Sequence, residues 1–165
     1  MNELVIKSAE TALKTDLSVW FKSIRRHLEA NPSSLLAQVD LLSAMRNELY
    51  EDINQLQHRS LILAAAKFLA KKYPQINKWA WHPEQTSHID FADLTGFHSH
   101  KVILNAEVTT SVSPVGTIDI RMSKTLISLN KKPGNKYYIV RTEQMERRAL
   151  SKIQKQKFDI EVVRM

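Results

Sequence analysis

Two carboxylates carry the most suggestive chemistry in this chain. Asp93 stands in Phe91-Ala92-Asp93-Leu94, and Glu107 follows the apolar run Val102-Ile103-Leu104-Asn105-Ala106. The segments His88 to Leu94 and Val102 to Val108 read as paired strands, with Gly96-Phe97-His98-Ser99-His100 as the loop between them. Adjacent strands lie about 4.8 Å apart. Two acids that meet across such a pair, on one face, can therefore grip a hard divalent cation. Mg²⁺ takes one or two carboxylates and completes its shell with waters and phosphate oxygens. An ion held in this way polarises a phosphodiester and acidifies bound water, which is metal-assisted hydrolysis. Asp90 competes with Asp93. Strand alternation puts the two on opposite faces unless a bulge intervenes, and the distance to Glu107 across a short hairpin suits Asp93.

The first half of the chain, residues 1–73, reads as helical. Leu17, Trp20, Phe21, Ile24 and Leu28 form one stripe at three- and four-residue spacing. Asn31-Pro32 ends it, and Ser33 or Ser34 can cap a new start. A second pattern runs from Leu35 to Leu49 and a third from Ile53 to Leu69. No Gly or Pro separates them, so they are either two helices or one long bent helix. Pro74 stops the pattern after Lys71 and Lys72, whose charges suit a helix C-terminus.

From Pro74 the period changes, and residues 74–165 read as a mixed α/β core sharing a single domain with the helical half. Trp79 and Trp81 lie two apart, as on a strand; they could stack on bases but suit a core better. Thr117 is expected to cap a helix that turns Ile118, Met122, Leu126 and Leu129 inward. Tyr137 to Val140 reads as a buried strand, Thr142 as the cap of another helix, and Phe158, Ile160 and Val162 as alternating on a last strand.

This order, with Asp93 and Glu107 where they stand, resembles the PD-(D/E)XK nuclease superfamily over roughly Glu51 to Val140. The resemblance implies an α/β fold of restriction-endonuclease-like type: a mixed sheet flanked by helices, behind a helical N-terminal half. It implies a metal-dependent DNA endonuclease using Mg²⁺ or Mn²⁺, with Asp93 as the strand acid and Glu107 as the second acid. The usual Pro before the first acid is Ala92, and the usual lysine after the second is Thr109. That lysine orients or activates the attacking water and is relocated in some members; Lys124 is the candidate here, with Arg121 next. Some members add a metal ligand from the preceding helix, where Glu51 is the candidate and Glu48 a weaker one; Asn54, Gln55 and His58 follow. A double-strand cutter needs two sites, so the apolar helical half is expected to offer a homodimer surface.

The charge pattern is compatible with a polyanionic partner. The 165 residues carry a formal net charge of +7, which favours nucleic acid or an anionic surface. Arg141, Arg147, Arg148, Lys152 and Lys155 make the last helix strongly basic and are the candidates for tracking a DNA backbone, with Lys131, Lys132, Lys136 and Lys157 nearby. A solvated helix face explains the same pattern. His98-Ser99-His100, flanked by His82 and His88, invites a zinc reading, but no further HxxxH or Cys partner supports it. With no cysteine the chain has no disulfide or thiolate site, which fits a cytoplasmic protein. No apolar run is long enough for a membrane span, and the N-terminus lacks a secretory pattern. Two other functions compete: a non-catalytic nucleic-acid-binding module on the same fold, suggested by Thr109, and a protein-interaction domain docked through the helical half.

Overall fold

A computed structural model describes residues 2–30, 32–83 and 91–165, the side chains of Glu48 and Glu51 excepted. A short strand β1 (Asn2–Glu3) precedes two helices, α1 (Ile6–Glu29) and α2 (Leu35–Lys72). The two helical patterns after Pro32 are thus one 38-residue helix. Nothing in the sequence between Leu49 and Ile53 breaks it. Ser34 caps it by accepting the Ala37 N–H at 3.2 Å, and it ends at Tyr73, before Pro74.

Then follow β2 (Lys78–Trp81), β3 (Leu94–His98), β4 (Lys101–Val108), α3 (Thr117–Asn130), β5 (Asn135–Val140), α4 (Glu143–Gln156) and β6 (Glu161–Arg164). The six strands form one sheet in chain order. Strands β1 to β4 pair antiparallel, while β4, β5 and β6 are parallel. Parallel neighbours need a crossover, and α3 and α4 provide the two. The protein is therefore an α/β protein with a helical N-terminal half and a mixed sheet interspersed with helices.

Several boundaries differ from the sequence expectation. The β3–β4 hairpin is tighter, because only Ser99 and His100 turn the chain, both with positive φ. Gly96, Phe97 and His98 belong to β3. Strand β3 begins at Leu94, so Asp93 sits just before it; His88 and Asp90 lie outside the described residues. Gly116, not Thr117, occupies the N-cap of α3, and no side chain caps that helix. Thr142 caps α4 as expected, accepting the Met145 N–H at 3.3 Å.

Each face of the sheet has its own core. On one, Leu61, Ile62, Ala65, Ala66 and Leu69 of α2 pack against Leu94, Leu104, Ala106, Tyr137 and Ile139. On the other, Met122, Leu126 and Leu129 of α3 and Met145, Ala149 and Ile153 of α4 pack against Tyr138 and Val140. Trp79 lies in the first core, with Trp81 half-buried against it. The apolar stripe of α1 departs from the usual pattern: α1 has no fully buried residue, and Phe21 and Leu28 are 63% and 72% exposed. No helix among the described residues is long and apolar enough to cross a membrane.

Candidate metal-binding acidic cluster

The register of the β3–β4 hairpin brings the two acids together. Leu94 pairs with Ala106 and Thr95 with Asn105, so one step further along the ladder Asp93 falls opposite Glu107. Alternation then puts Asp93, Thr95, Asn105 and Glu107 on one face. The Thr95 hydroxyl donates to Asn105 Oδ1 at 2.9 Å, which locks that face two residues from the acids.

Asp93 is fixed from three sides. Its carbonyl accepts the His82 N–H at 2.9 Å. Its Oδ2 accepts the Val108 N–H at 2.8 Å, a bond that continues the hairpin ladder through a side chain. Its Oδ1 lies 3.4 Å from His58 Nε2. His58 projects from α2 one turn before Ile62 and is 2% exposed. Neither of its ring nitrogens has a hydrogen-bond partner among the described residues.

Glu107 is partly buried beside this group. Burial, first, and the Asp93 charge and hydrogen bond, second, hold its carboxyl well above the usual carboxylate range. The Lys132 charge opposes that rise. Lys132 stands in the turn after α3, which is pinned to β4: Asn105 Nδ2 donates to Pro133 O at 2.9 Å. Gly134 in the same turn has φ near 75°, and a Cβ there would meet Ile103 O at 2.5 Å. Only glycine fits so close an approach.

Tyr138 completes the row. It pairs directly with Glu107 across the parallel β4–β5 ladder. Its phenol is raised mainly by burial and further by the Glu107 and Asp93 charges, against a hydrogen bond with Thr109. Asp93, Glu107 and Tyr138 thus lie side by side across three neighbouring strands, with Thr109 beyond them.

The donor set fits a small divalent cation. Two carboxylates this close are destabilised as a pair of anions, and a cation between them would relieve both burial and repulsion. The buried His58 Nε2 lies 3.4 Å from Asp93 Oδ1, beside the pair and not as a third ligand of a shared ion. Among the described residues no three His, Cys, Asp or Glu side chains form a ready-made ligand set. Mg²⁺ does not require one, because waters and phosphate oxygens complete its shell.

The other sequence candidates are placed as follows. Glu51 and Glu48 lie on α2, but their side chains are outside the described residues. Lys124 is exposed on α3, two residues from each of the buried positions Met122 and Leu126. It therefore points away from the sheet and is not brought to the carboxylates; Arg121 is exposed as well. Arg148 clamps Asp119 of α3 through two bonds of 2.7 and 3.0 Å. Lys152 joins the same carboxylate at 3.1 Å and donates to Ser123 Oγ at 2.7 Å. Arg147 pairs with Glu143 one turn away. Arg141 sits on the bend after β5, at the carboxyl end of the parallel strands, and Lys155 lies in the last turn of α4. His98 Nδ1 lies 2.6 Å from Gln75 O, while His82 stacks on Phe91.

Sequence reasoning missed His58, Tyr138 and Lys132 as parts of the site. His58 had a signal: it is the polar interruption of the buried stripe 58, 61, 62, 65, 66, 69 on α2. Tyr138 reads as an ordinary core strand residue, and Lys132 as one lysine in a basic run. No family, curated protein or solved structure matches the chain.

Proposed function

We propose that this protein is a metal-dependent DNA endonuclease of restriction-endonuclease-like fold. The observation that carries the reading is the contact between Asp93 and Glu107. Asp93, just before β3, falls opposite Glu107 of β4, near enough that its charge helps to hold the Glu107 carboxyl above the usual carboxylate range. The element order supports it: a long helix, three antiparallel strands, a crossover helix and a parallel strand are what the superfamily resemblance implies.

Asp93 and Glu107 would hold Mg²⁺ or Mn²⁺, which when bound polarises the scissile phosphate and lowers the pKa of a bound water. The protein's own residues do the rest. The Val108 N–H keeps one Asp93 oxygen turned to β4. His58 Nε2 lies 3.4 Å from the other, buried on α2. Asn105 and Thr95 brace the strand pair and the turn that carries Lys132. The net positive charge draws the polyanion toward the domain.

A second reading is favoured by Thr109. Its Oγ1 accepts the Ser111 N–H at 3.3 Å and interacts with Tyr138. It is thus tied into the β4 end and offers no ammonium to an attacking water. A non-catalytic nucleic-acid-binding module on the same fold follows from that substitution.

Cleavage of supercoiled plasmid separates the two. The nuclease reading expects nicking that depends on Mg²⁺ or Mn²⁺ and disappears in Asp93→Asn and Glu107→Gln. Salt-dependent DNA binding without cleavage under any divalent ion selects the binding module. Absence of both selects the protein-interaction reading.

A further inference from the structure

The fold gathers lysines that the sequence scatters. Four connections come together at one end of the sheet: residues 71–78 between α2 and β2, 98–101 between β3 and β4, 131–136 between α3 and β5, and 157–161 between α4 and β6. Lys78 pairs with Phe97 and Lys101 with His98, so the first two connections adjoin. His98 Nδ1 lies 2.6 Å from Gln75 O across them. Asn135 Nδ2 donates to Ile103 O at 3.1 Å, which seats the third on the start of β4. The Asp159 N–H donates to Asn130 Oδ1 at 3.2 Å, which seats the fourth on the end of α3.

Together the four connections hold eight lysines and two carboxylates, so six of the chain's seven net positive charges stand at this end. The carboxylates are taken: Glu161 by Lys72 at 2.7 Å and Asp159 by Lys136 at 3.7 Å. Lys71, Lys78, Lys101, Lys131 and Lys157 are exposed, with no acid partner among the described residues. Lysines at helix C-termini complement the helix dipole. That accounts for Lys71 and Lys157 but not for Lys78 and Lys101, which open strands. From β2 to β6 the row spans four strand spacings, about 19 Å.

What surrounds these lysines sets the kind of partner. Among the described residues, none of the exposed large apolar side chains lies in the four connections. A protein interface is built on an apolar core, and a peripheral membrane contact on buried apolar area. A nucleic-acid backbone is held by cations alone, and about 19 Å of duplex presents nearly six base pairs at 3.4 Å each. Lys101 stands six residues from Glu107 on β4, about 20 Å along the strand, so the surface is separate from the carboxylates. It is separate as well from the face of α4 on which Asp119 holds Arg148 and Lys152. We infer that this end of the sheet anchors double-stranded DNA by its phosphates. The inference stands on the gathered charge and does not depend on the carboxylate site.

The test is the salt dependence of binding to a short DNA duplex, in EDTA so that no cleavage intervenes. Each lost phosphate contact should reduce the slope of log affinity against log salt by about 0.9. Lys78→Gln, Lys101→Gln and Lys131→Gln combined should therefore lower it by about 2.7. Lys78→Arg, Lys101→Arg and Lys131→Arg combined should keep the wild-type slope. So should a control that removes the same charge from α1: Lys7→Gln, Lys22→Gln and Arg25→Gln combined. All six positions are exposed, and circular dichroism checks the fold. Each single sheet-end change to Gln should lower the slope by about 0.9, a readout that stands even if the triple variant does not fold. Equal losses in both Gln triples overturn the inference, because net charge alone would then drive binding. An unchanged slope in the sheet-end variants overturns it too, as does a wild type that binds no DNA or binds phosphatidylserine vesicles in its place. Absence of cleavage with Mg²⁺ or Mn²⁺ would remove the nuclease reading and leave this result standing.

Discussion

The Asp93 carboxylate accepts the backbone N–H of Val108 at 2.8 Å, and this bond seats it against the side chain of the preceding residue, Glu107. The sheet register alone brings the two acids level. The side-chain-to-backbone bond keeps Asp93 from turning toward solvent, so Glu107 cannot relieve the repulsion by moving its partner away. The site is a carboxylate pair built into a strand ladder, and its electrostatic cost is met by a proton on Glu107 or by a cation.

That cost makes stability depend on pH. Glu107 has a folded pKa raised above its ordinary value, so the folded state holds its proton more tightly than the unfolded chain does. Stability contributed by this group is complete below the ordinary glutamate value and falls as pH rises toward the raised one. Glu107→Gln keeps the neutral form at all pH. Without divalent ions it should match wild type in melting temperature near pH 4 and exceed it increasingly toward pH 8. Mg²⁺ or Mn²⁺ should raise wild type at pH 8 and leave Glu107→Gln unmoved, because a bound ion stabilises only the state that binds it. A gap between the two proteins that is the same at every pH removes Glu107 as the titrating group.

His58 Nε2 lies 3.4 Å from Asp93 Oδ1, and it is expected to matter more for the ion than for the fold. His58→Leu preserves roughly the volume of a side chain in an apolar stripe and should cost no more than about 1.5 kcal/mol of stability. Loss of a group that orients a metal-ligating carboxylate typically weakens metal affinity or activity by about 10- to 100-fold. Titration calorimetry with Mn²⁺ on folded His58→Leu measures this. An affinity equal to that of wild type makes His58 a packing residue only.

Two lysines compete for the place that Thr109 leaves empty. Lys124 faces away from the sheet, whereas Lys132 sits in a turn bonded to β4 and its charge acts on Glu107. If the chain cleaves DNA, Lys132→Ala should lower turnover by about a hundredfold or more, the usual contribution of a positioned proton-transfer group. It should also shift the acidic limb of the rate profile to higher pH, because Lys132 lowers the Glu107 pKa. Lys124→Ala should leave both nearly unchanged. The reverse pattern would assign the water to Lys124 and require α3 to rotate.

The acids were legible in the sequence because they sit on alternating apolar strands, whose register follows from a hairpin. The helical half was legible through its periodicity, and α2 proved continuous for want of any Gly or Pro near Leu49. What sequence patterns do not encode is which elements meet. His58 lies thirty-five positions from Asp93 and meets it only because α2 packs across the sheet. The roles of Arg148 and Lys152 were hidden for the same reason: their partner, Asp119, is on another helix. Periodicity set Phe21 and Leu28 on one stripe with Trp20 and Ile24, yet it is the latter two that are half-buried, because spacing does not encode which side of a wide stripe the neighbouring helix covers.

The basic surface divides along those lines, and DNA binding should show it. Arg148 and Lys152 are held by Asp119, with Lys152 only 13% exposed at its side chain, so using them on phosphate would mean opening the contact between α3 and α4. Arg141 has no ion-pair partner among the described residues and lies at the carboxyl end of β5. Thr109, at the end of β4, bonds there to Ile139 O at 3.0 Å. Ligands of open α/β sheets sit at such strand ends, and the end of β4 is also where Glu107 stands. Arg141→Ala is therefore expected to weaken binding evenly across DNA sequences and to reduce the slope of log affinity against log salt by about one. Lys152→Ala should lower the melting temperature and leave the slope alone. A filter-binding titration at several salt concentrations reads both. Should the slope fall in Lys152→Ala and stay fixed in Arg141→Ala, the Asp119 clamp opens on DNA and the interface is the α4 face.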